Sequence, residues 1–502
     1  MTIKTPTYSK DDVALTADSV TAVVELNATS STAIREGLDL VTVLDVSGSM
    51  SGAKLQSMKM AMHFVIMKLT PVDRLSIVAF SNSATRHCPL RSITQAAQAD
   101  LKAIVDGLVA GGGTNIEVGM DTAKSVIADR VTTKARTANV FLMSDGQQNN
   151  NTDATRPDLG KVSVYTFGFG QDADHALLDA VAKKSPGGTF SSVPDGGNVS
   201  APFSQLLGGV LTVVAQDVQL TLTPKTDEPD LDTMFVAPGT DYTQTTDDDT
   251  GVITIKFGTL FSGETRKVAV NLTLLDSTDT TDDYDAPLAE AQHSYTAQQG
   301  VQNQTPQDIL IYRTPNPSQA PTSSKARAVL AEMARRQHAE SIGEARVLAD
   351  AKNLDDARYK LADAQNALED ILLDDGQKLV GMLRAELLQL LEFMESQEVY
   401  EAKGRPYALA SEMSHGRQRY AARGGDMDAV RLFATPRMDT YLEQAKQFEK
   451  NPTAPLPSAD DDVKQEIAAN PLAAISAPLA FYIKAAIQAL QEIDKLVAPA
   501  TN

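Results

Sequence analysis

The chain has 502 residues, 42% of them hydrophobic, which is enough for roughly three domains with cores of their own. The 65 acidic residues outnumber the 45 basic ones and give a formal net charge of −20. A surface this acidic repels phosphate backbones, so we expect no nucleic-acid binding. The single cysteine, Cys88, excludes internal disulfides and zinc sites built on cysteines, RING fingers included.

Targeting signals are missing from the sequence as given. Residues 1–12 are polar and contain no apolar core of signal-peptide length. No run of about 18 apolar residues occurs, so we expect no membrane span. Together with the lone cysteine, these features predict a cytoplasmic protein and disfavour a secreted, matrix-type role.

The first 215 residues fall into two parts. Residues 1–37 hold one alternating, strand-like stretch at 20–26, which we expect to pair with a β unit further along the chain. Residues 38–215 alternate buried strands with amphipathic helices, beginning with a strand at 38–44. Such alternation predicts a doubly wound, Rossmann-like α/β domain. Its other expected elements are strands at 75–80, 139–143 and 162–169 and helices at 55–69, 97–108, 116–127, 172–184 and 200–213.

The remainder of the chain changes character twice. Residues 216–313 show the two-residue period of an antiparallel β unit with acidic loops. Residues 314–323 contain three prolines and read as a linker. Residues 324–502 are rich in Ala, Leu and Glu and predict an α-helical region. Within it we expect helices at 325–351, 354–373, 378–398, 438–450 and 476–496, with a Gly/Arg-rich interruption at 404–425.

Three oxygen-bearing side chains follow the first predicted strand of the α/β domain directly. Asp45, Ser47 and Ser49 form an Asp-x-Ser-x-Ser sequence there, and ligands of doubly wound sheets bind outside the carboxyl ends of the strands. Carboxylate and hydroxyl oxygens suit hard cations such as Mg²⁺. Because three side chains do not complete an octahedral shell, other loops must contribute.

Two further residues stand at suitable places for this role. Thr114 follows three glycines at a loop that leads into a helix, and Asp145 follows the strand that ends at Met143. Both side chains offer oxygen ligands, so both are candidates for the missing positions.

These five residues resemble the metal-ion-dependent adhesion site of von Willebrand factor A domains, which combines Asp-x-Ser-x-Ser with a separate Thr and a separate Asp in the same order. The resemblance implies that the hydroxyls of Ser47, Ser49 and Thr114 bind Mg²⁺ or Mn²⁺, directly or through water. It also implies that Asp45 and Asp145 supply negative charge, and that one ligand position stays open for an acidic side chain of a protein partner.

The resemblance extends beyond the site. Residues 40–50, 74–81 and 112–116 are similar to a plant family that joins an A domain to β and intein-like helical regions. That family includes RING ubiquitin ligases of the WAVY GROWTH type, and inter-alpha-trypsin inhibitor heavy chains are more distantly similar. The RING is absent here, so a ubiquitin-ligase role is expected only through a partner.

Two functions remain open at this stage. The first is an intracellular, Mg²⁺-dependent protein-recognition module or scaffold. The alternative is a non-catalytic subunit or RING-less regulator of a ubiquitin-ligase complex, with RING-bearing homologues as partners. The sequence lacks Walker A, kinase and Ser-His-Asp order signatures, so we expect no catalytic activity of the chain itself.

Two other sets of residues are candidate sites. The six histidines are scattered without an i, i+4 pair, which disfavours a zinc site. The interruption at 404–425 carries a small basic patch that either contacts an acidic loop or, as we expect, forms a solvated loop. The patch consists of Arg405, Arg417, Arg419 and Arg423.

Overall fold

The computed structural model describes residues 1–469 apart from 29–34, 147, 149–152, 195–199, 227–229, 278–281, 298–299, 319, 321–322, 370–376 and 425–429. The described residues form an α/β domain, a β-sandwich and a helical region, and the predicted fold class is confirmed. The helix predicted at 476–496 lies outside them. Among the described helices, none has the length and apolar character needed to cross a membrane.

The chain begins with four strands that precede the α/β domain. The longest of them covers the predicted stretch at 20–26, and residues 20–24 are all buried. The strands are β1 (Thr2–Ile3), β2 (Thr7–Tyr8), β3 (Val13–Ala14) and β4 (Asp18–Asn27).

The α/β domain follows, with a sheet in the order β11-β10-β9-β5-β6-β7 and β8 beside β6. The five strands from β11 to β6 run parallel, whereas β7 and β8 are antiparallel to β6. Its elements are β5 (Gly37–Asp45), α1 (Ala53–Lys68), β6 (Arg74–Phe80), β7 (Ala84–Arg86), β8 (Arg91–Ser92), α2 (Gln95–Asp106), α3 (Ile116–Ala128), β9 (Arg136–Ser144), β10 (Ser163–Phe169), α4 (His175–Lys184), β11 (Phe190–Val193) and α5 (Ser200–Val210).

Helices cover both faces of this sheet, which explains the unbroken apolar run of β5. Leu40 and Leu44 face the core shared with α1, α2 and α5, while Val41 and Val43 face the core shared with α3 and α4. The one charged residue inside the strand, Asp39, is buried and accepts hydrogen bonds from three arginines at the amino end of the sheet. They are Arg74, Arg130 and Arg136. Burial alone would raise the pKa of Asp39, but these guanidinium groups hold it below its usual value.

Two antiparallel sheets pack face to face to form the β-sandwich. One has the order β1-β4-β16-β13 with β2 beside β4, and the other has the order β14-β15-β12-β17-β19-β3 with β18 beside β17. Only the short β19–β3 pair is parallel among the described strands of the sandwich. The elements are β12 (Val213–Pro224), β13 (Leu231–Val236), β14 (Thr243–Thr246), β15 (Ile253–Phe261), β16 (Thr265–Leu274), β17 (Tyr284–Ala297), β18 (Gly300–Asn303) and β19 (Gln307–Thr314).

The amino-terminal strand β4 is a full member of this sandwich. It runs antiparallel to β16, with Val24 opposite Val268 and Val20 opposite Leu272. The apolar sides of these two strands share one core with β12, β15 and β17. The sandwich is therefore built from chain segments that precede and follow the α/β domain in the sequence.

The helical region begins right after a short loop. The side chain of Ser323 accepts a hydrogen bond from the backbone N–H of Ala326 and caps the first helix. The helices are α6 (Ser324–Asp350), α7 (Leu354–Glu369), α8 (Gln377–Phe393), α9 (Gln397–Val399), α10 (Arg405–Arg417), α11 (Pro436–Lys450) and α12 (Ala459–Ala469), with a π-helical turn at Tyr400–Gly404 between α9 and α10.

Helices of this region pack on both sides of the α/β domain. On one side, Leu409 and Met413 of α10 join the core beneath α3 and α4. On the other, Tyr441 and Phe448 of α11 make edge-to-face contacts with Phe64 of α1. The helical region is therefore integral to the packing of the α/β domain.

The prediction of a solvated loop at 404–425 is wrong. Residues 405–417 form α10, and Arg417, Arg419 and Arg423 are buried. The chain after α10 runs beside β11, where the backbone N–H of Ser192 donates to the carbonyl of Ala422 at 2.9 Å. Because this segment lies between packed elements, Arg419 and Arg423 pair with the buried carboxylates of Glu264 and Glu386, and Arg417 donates to the backbone carbonyl of Lys183.

Candidate metal centre

The Asp-x-Ser-x-Ser loop and Asp145 lie side by side at the carboxyl edge of the α/β sheet. Asp45 is the last residue of β5, and Asp145 comes directly after β9. These strands are parallel neighbours in which Leu44 lies opposite Met143. Chain direction and register thus bring the two carboxylates to adjacent strand ends, as expected for a ligand site of this fold.

Backbone hydrogen bonds hold the glycine loop at 111–113 against the Asp-x-Ser-x-Ser segment. The N–H of Gly111 donates to the carbonyl of Val46 at 2.8 Å, and the N–H of Gly48 donates to the carbonyl of Gly112 at 3.0 Å. These bonds hold the segment that carries Thr114 beside the segment that carries the two serines.

Glycine is required at Gly112 for two reasons. Its φ is 82°, in the left-handed region, and an added Cβ would lie only 3.1 Å from Nδ2 of Asn82. An added Cβ at Gly48 would likewise lie 3.3 Å from the carbonyl oxygen of Gly112. The close approach of the two loops thus depends on small residues at the contact.

A chain of hydrogen bonds links four of the five predicted ligands. Oδ1 of Asp45 accepts from the backbone N–H of Ser47 at 2.8 Å, and the Oγ atoms of Ser47 and Ser49 lie 3.1 Å apart. Oγ of Ser49 then donates to Oδ1 of Asp145 at 2.8 Å. Thr114 follows the glycines that are hydrogen-bonded to the Asp-x-Ser-x-Ser segment, and it is buried.

The site combines deep burial with concentrated negative charge. Asp45, Ser47, Thr114 and Asp145 are all at most 3% exposed, whereas Ser49 lies at the surface. Burial raises the pKa of Asp45 to about 6, and the negative charge of Asp145 adds to this effect. Hydrogen bonds from Ser144 and Ser47 act in the opposite direction. Two buried carboxylates at adjacent strand ends favour the approach of a cation.

Two residues of the site were not foreseen from the sequence. Ser144, at the end of β9, donates to Oδ2 of Asp45 and accepts from the N–H of Gly146 at 2.8 Å. Lys54, near the start of α1, places Nζ 3.1 Å from Oδ2 of Asp145. Ser144 directly precedes the predicted ligand Asp145, and this position could have identified it as a residue of the site. The position of Lys54 depends on the path of α1 and gives no such signal.

The residues present fit a hard divalent cation. The five predicted side chains offer only oxygen atoms, two of them as carboxylates, which matches Mg²⁺ or Mn²⁺ and not a soft metal. The carboxylates belong to separate strand ends, with serine hydroxyls between them. A cation placed there would satisfy buried charge that otherwise relies on hydroxyl and backbone N–H donors and on one lysine.

A second cluster, in the helical region, unites two of the scattered histidines. The Nε2 atoms of His338 and His415 lie 2.8 and 2.9 Å from the same oxygen, Oε2 of Glu386. Nδ1 of His415 faces the guanidinium of Arg335 at 3.1 Å. Because arginine only donates, Nδ1 accepts and the proton of His415 is on Nε2. With that proton directed at Glu386, Nε2 has no lone pair for a metal, so we interpret the cluster as a hydrogen-bonded ion network.

Two protein families match separate parts of the chain. Residues 39–205 match the von Willebrand factor type A domain. Residues 377–447 match the VWA / Hh protein intein-like domain. The first match contains all five candidate ligands, and the second runs from α8 into α11.

Curated relatives share sequence with part of the chain. The E3 ubiquitin-protein ligase WAV3 of Arabidopsis thaliana is 30% identical over 253 residues, which cover 47% of this chain and 31% of the relative. The probable E3 ubiquitin-protein ligase WAVH2 of the same plant is 33% identical over 30% of this chain and 24% of its own length. Human inter-alpha-trypsin inhibitor heavy chain H4 is 29% identical over 30% and 17%. The chain thus spans less than a third of the length of each of these three relatives.

Solved structures support the fold over a larger share of the chain. A von Willebrand factor type A protein from Catenulispora acidiphila aligns with a TM-score of 0.60 at 20% identity, over 76% of this chain and 88% of its own. The ArnB paralog VWA2 from Sulfolobus acidocaldarius aligns with a TM-score of 0.53 at 15% identity, over 82% and 97%. This chain therefore contains a von Willebrand factor type A domain at residues 39–205 and a VWA-associated intein-like region at residues 377–447.

Proposed function

We propose that the chain is a protein-recognition module whose A domain binds Mg²⁺ or Mn²⁺ and, through the ion, an acidic side chain of a protein partner. The ligands are Asp45, Ser47, Ser49, Thr114 and Asp145. The observation that carries the proposal is the pair of buried carboxylates at adjacent strand ends, bridged by two serine hydroxyls. Von Willebrand factor type A domains serve protein interaction, which supports this reading of residues 39–205.

The division of labour among the ligands follows from their charges. Asp45 and Asp145 together would neutralise a divalent ion, while the hydroxyls of Ser47, Ser49 and Thr114 would offer it oxygen ligands without adding charge. When bound, Mg²⁺ supplies an open ligand position for a carboxylate. Because the serine and threonine ligands are neutral, a third carboxylate brought by a partner meets no excess of negative charge at the site.

We propose a binding role and not a catalytic one. The serine hydroxyls of the site lie against each other and against Asp145. Nucleophilic catalysis by serine generally needs a base that is itself oriented by a third group, and among the described residues of the site no histidine contacts Ser47 or Ser49. The intracellular, cytoplasmic location stays part of the proposal.

The alternative function is a non-catalytic subunit or RING-less regulator of a ubiquitin-ligase complex. It is favoured by the Arabidopsis relatives, which are named E3 ubiquitin-protein ligases. The 502 residues contain one cysteine, too few for the cysteine-rich zinc sites of a RING finger. On this alternative, RING-bearing homologues are the partners, and the A domain supplies the contact.

Calorimetric titration with Mg²⁺ tests the proposed ion site. We expect a divalent-ion isotherm for the wild type and a strongly weakened one for Asp45→Ala, since that variant loses one of the two charges. Asp129→Ala is the control, because this aspartate is exposed and pairs with Arg86 at the protein surface. An Asp45→Ala isotherm that equals the control would refute the assignment.

Affinity capture separates the two functions. The full chain is used as bait from the native cell extract with Mg²⁺ or with EDTA, and the captured proteins are identified by mass spectrometry. RING proteins among the metal-dependent partners support the ligase-subunit alternative. Metal-dependent partners without RING proteins support the general recognition module, and partners that do not respond to EDTA contradict both versions.

A further inference from the structure

Lys54 contacts one of the proposed metal ligands directly. It is the second residue of α1, and its Nζ lies 3.1 Å from Oδ2 of Asp145. The other oxygen of Asp145 accepts a hydrogen bond from Ser49. We propose that Lys54 is a tethered competitor of the divalent ion, which holds Asp145 when no ion is bound and lowers the affinity of the site. This inference rests on the proposed function.

The location of Lys54 is unfavourable for the helix that carries it. A positive charge in the first turn of a helix opposes the macrodipole, and α1 has no acidic residue in that turn and no side-chain cap at Gly52. The charge of the lysine therefore does not stabilise the helix at this position. The contact with Asp145 offers a physical reason for a cation there.

Burial makes this contact important for the metal-free state. Asp145 is 3% exposed, and a buried carboxylate is costly unless it is paired with an opposite charge. Lys54 supplies that charge, while Ser49 supplies only a neutral donor. Asp45, by contrast, is held by the hydroxyl of Ser144 and the N–H of Ser47. Of the two carboxylates, Asp145 is thus the one that is paired with a positively charged side chain.

Competition follows from the shared carboxylate. A divalent ion and the ammonium of Lys54 are both attracted to Asp145 and repel each other, so each weakens the binding of the other. The Lys54 side chain is 20% exposed, which gives its ammonium a route toward solvent when the ion enters. The affinity for Mg²⁺ is therefore set partly by a residue that is not a ligand.

Magnesium titration of the full chain tests this inference with four variants. Lys54→Gln and Lys54→Met remove the charge, and Lys54→Arg keeps it. Lys59→Gln is the matched control, because Lys59 lies on the same helix and its Nζ donates to the carbonyl of Asp106 at 2.8 Å. We expect the two neutral variants to bind Mg²⁺ about tenfold more tightly than wild type, a factor that corresponds to ~1.4 kcal/mol. The Mg²⁺ affinities of Lys54→Arg and Lys59→Gln should stay within about twofold of the wild-type affinity.

Thermal unfolding provides a second readout that does not involve a partner. In EDTA, Lys54→Gln and Lys54→Met should melt at a lower temperature than Lys59→Gln, because Asp145 loses its counter-charge. Saturating Mg²⁺ should close this difference. If wild type binds Mg²⁺ and the neutral Lys54 variants bind it no more tightly than Lys59→Gln, the competitor role is overturned while the ion site stands. If neither wild type nor the neutral variants bind Mg²⁺, the proposed ion site itself fails.

Discussion

Arg419 and Glu264 form a two-point ion pair in which both side chains are at most 1% exposed. Nε of Arg419 lies 2.6 Å from Oε1 of Glu264, and Nη2 lies 2.7 Å from Oε2. The same guanidinium donates to the carbonyls of Gly187 and Thr259 at 2.7 and 2.8 Å. One side chain from the helical region therefore connects the A domain with the β-sandwich.

Removing this arginine should destabilise the whole assembly. Arg419→Met leaves Glu264 buried with one fewer cation, a type of change that costs about 3–5 kcal/mol. Arg91→Met is the control, since its pair with Asp100 is exposed and such pairs contribute within about 1 kcal/mol. Urea unfolding followed by circular dichroism measures both. Equal losses for the two variants would show that the buried pair adds no more stability than a surface pair.

The burial of Arg419 is also a feature that could not be predicted from the sequence. Arg419 lies in the Gly/Arg-rich segment 404–425, whose composition is typical of a loop, and its carboxylate partner is 155 residues away. The strand at 38–44, in contrast, was predicted because burial on both faces leaves an apolar run in the sequence itself. Local patterns thus identified the A domain fold, whereas the burial of three arginines depends on how the chain folds back on itself.

The same limit applies to the metal centre and to the histidines. Asp45, Ser47 and Ser49 could be selected because a short motif follows a recognisable strand. Lys54 could not, since only the packing of α1 brings its ammonium to Asp145. His338 and His415 are far apart in sequence, and Glu386 joins them through the arrangement of three helices.

His415 should contribute to the pH dependence of stability. Burial lowers its pKa to about 4, and Arg335 adds to this, although Glu386 acts in the opposite direction. An unfolded histidine takes up a proton near pH 6.5, so the unfolded state binds more protons between pH 6.5 and 4. The stabilisation is present above pH 6.5 and is lost as the pH falls toward 4. At about 1.4 kcal/mol per pKa unit, the loss approaches 3 kcal/mol.

Replacing His415 by glutamine isolates this contribution. The amide offers one acceptor for Arg335 and one donor for Glu386 but does not titrate. We expect His415→Gln to lose less stability than wild type between pH 7 and 5, as measured by urea midpoints at each pH. His87→Gln, at an exposed position, serves as the control and should follow the wild-type curve. A His415→Gln curve parallel to wild type would contradict the prediction.

Removal of metal should leave the fold of the A domain intact. The proposed ligands lie at the carboxyl edge of the sheet, whereas Val43, Phe80 and Phe141 are fully buried in cores built mainly from helices and strands. Under the proposal, Lys54 offers Asp145 a counter-charge once the ion is removed. The far-ultraviolet circular dichroism spectrum should therefore be the same with Mg²⁺ and with EDTA. A collapse of the spectrum in EDTA would make the ion structural and weaken the recognition proposal.

Thr114 offers a way to separate ion binding from partner binding. Thr114→Ala removes a neutral oxygen ligand from a buried position, so we expect weaker binding of both the ion and the partner. Thr114→Asp adds a third carboxylate, which should keep the ion bound at least as tightly as in wild type. The incoming acidic side chain then meets a site with excess negative charge, and repulsion should reduce its binding. Thr133→Asp, at an exposed position, controls for added charge on the domain. Mg²⁺ titration paired with affinity capture measures the two effects, and a Thr114→Asp variant that holds its partners as firmly as Thr133→Asp would place recognition on the β-sandwich or the helical region.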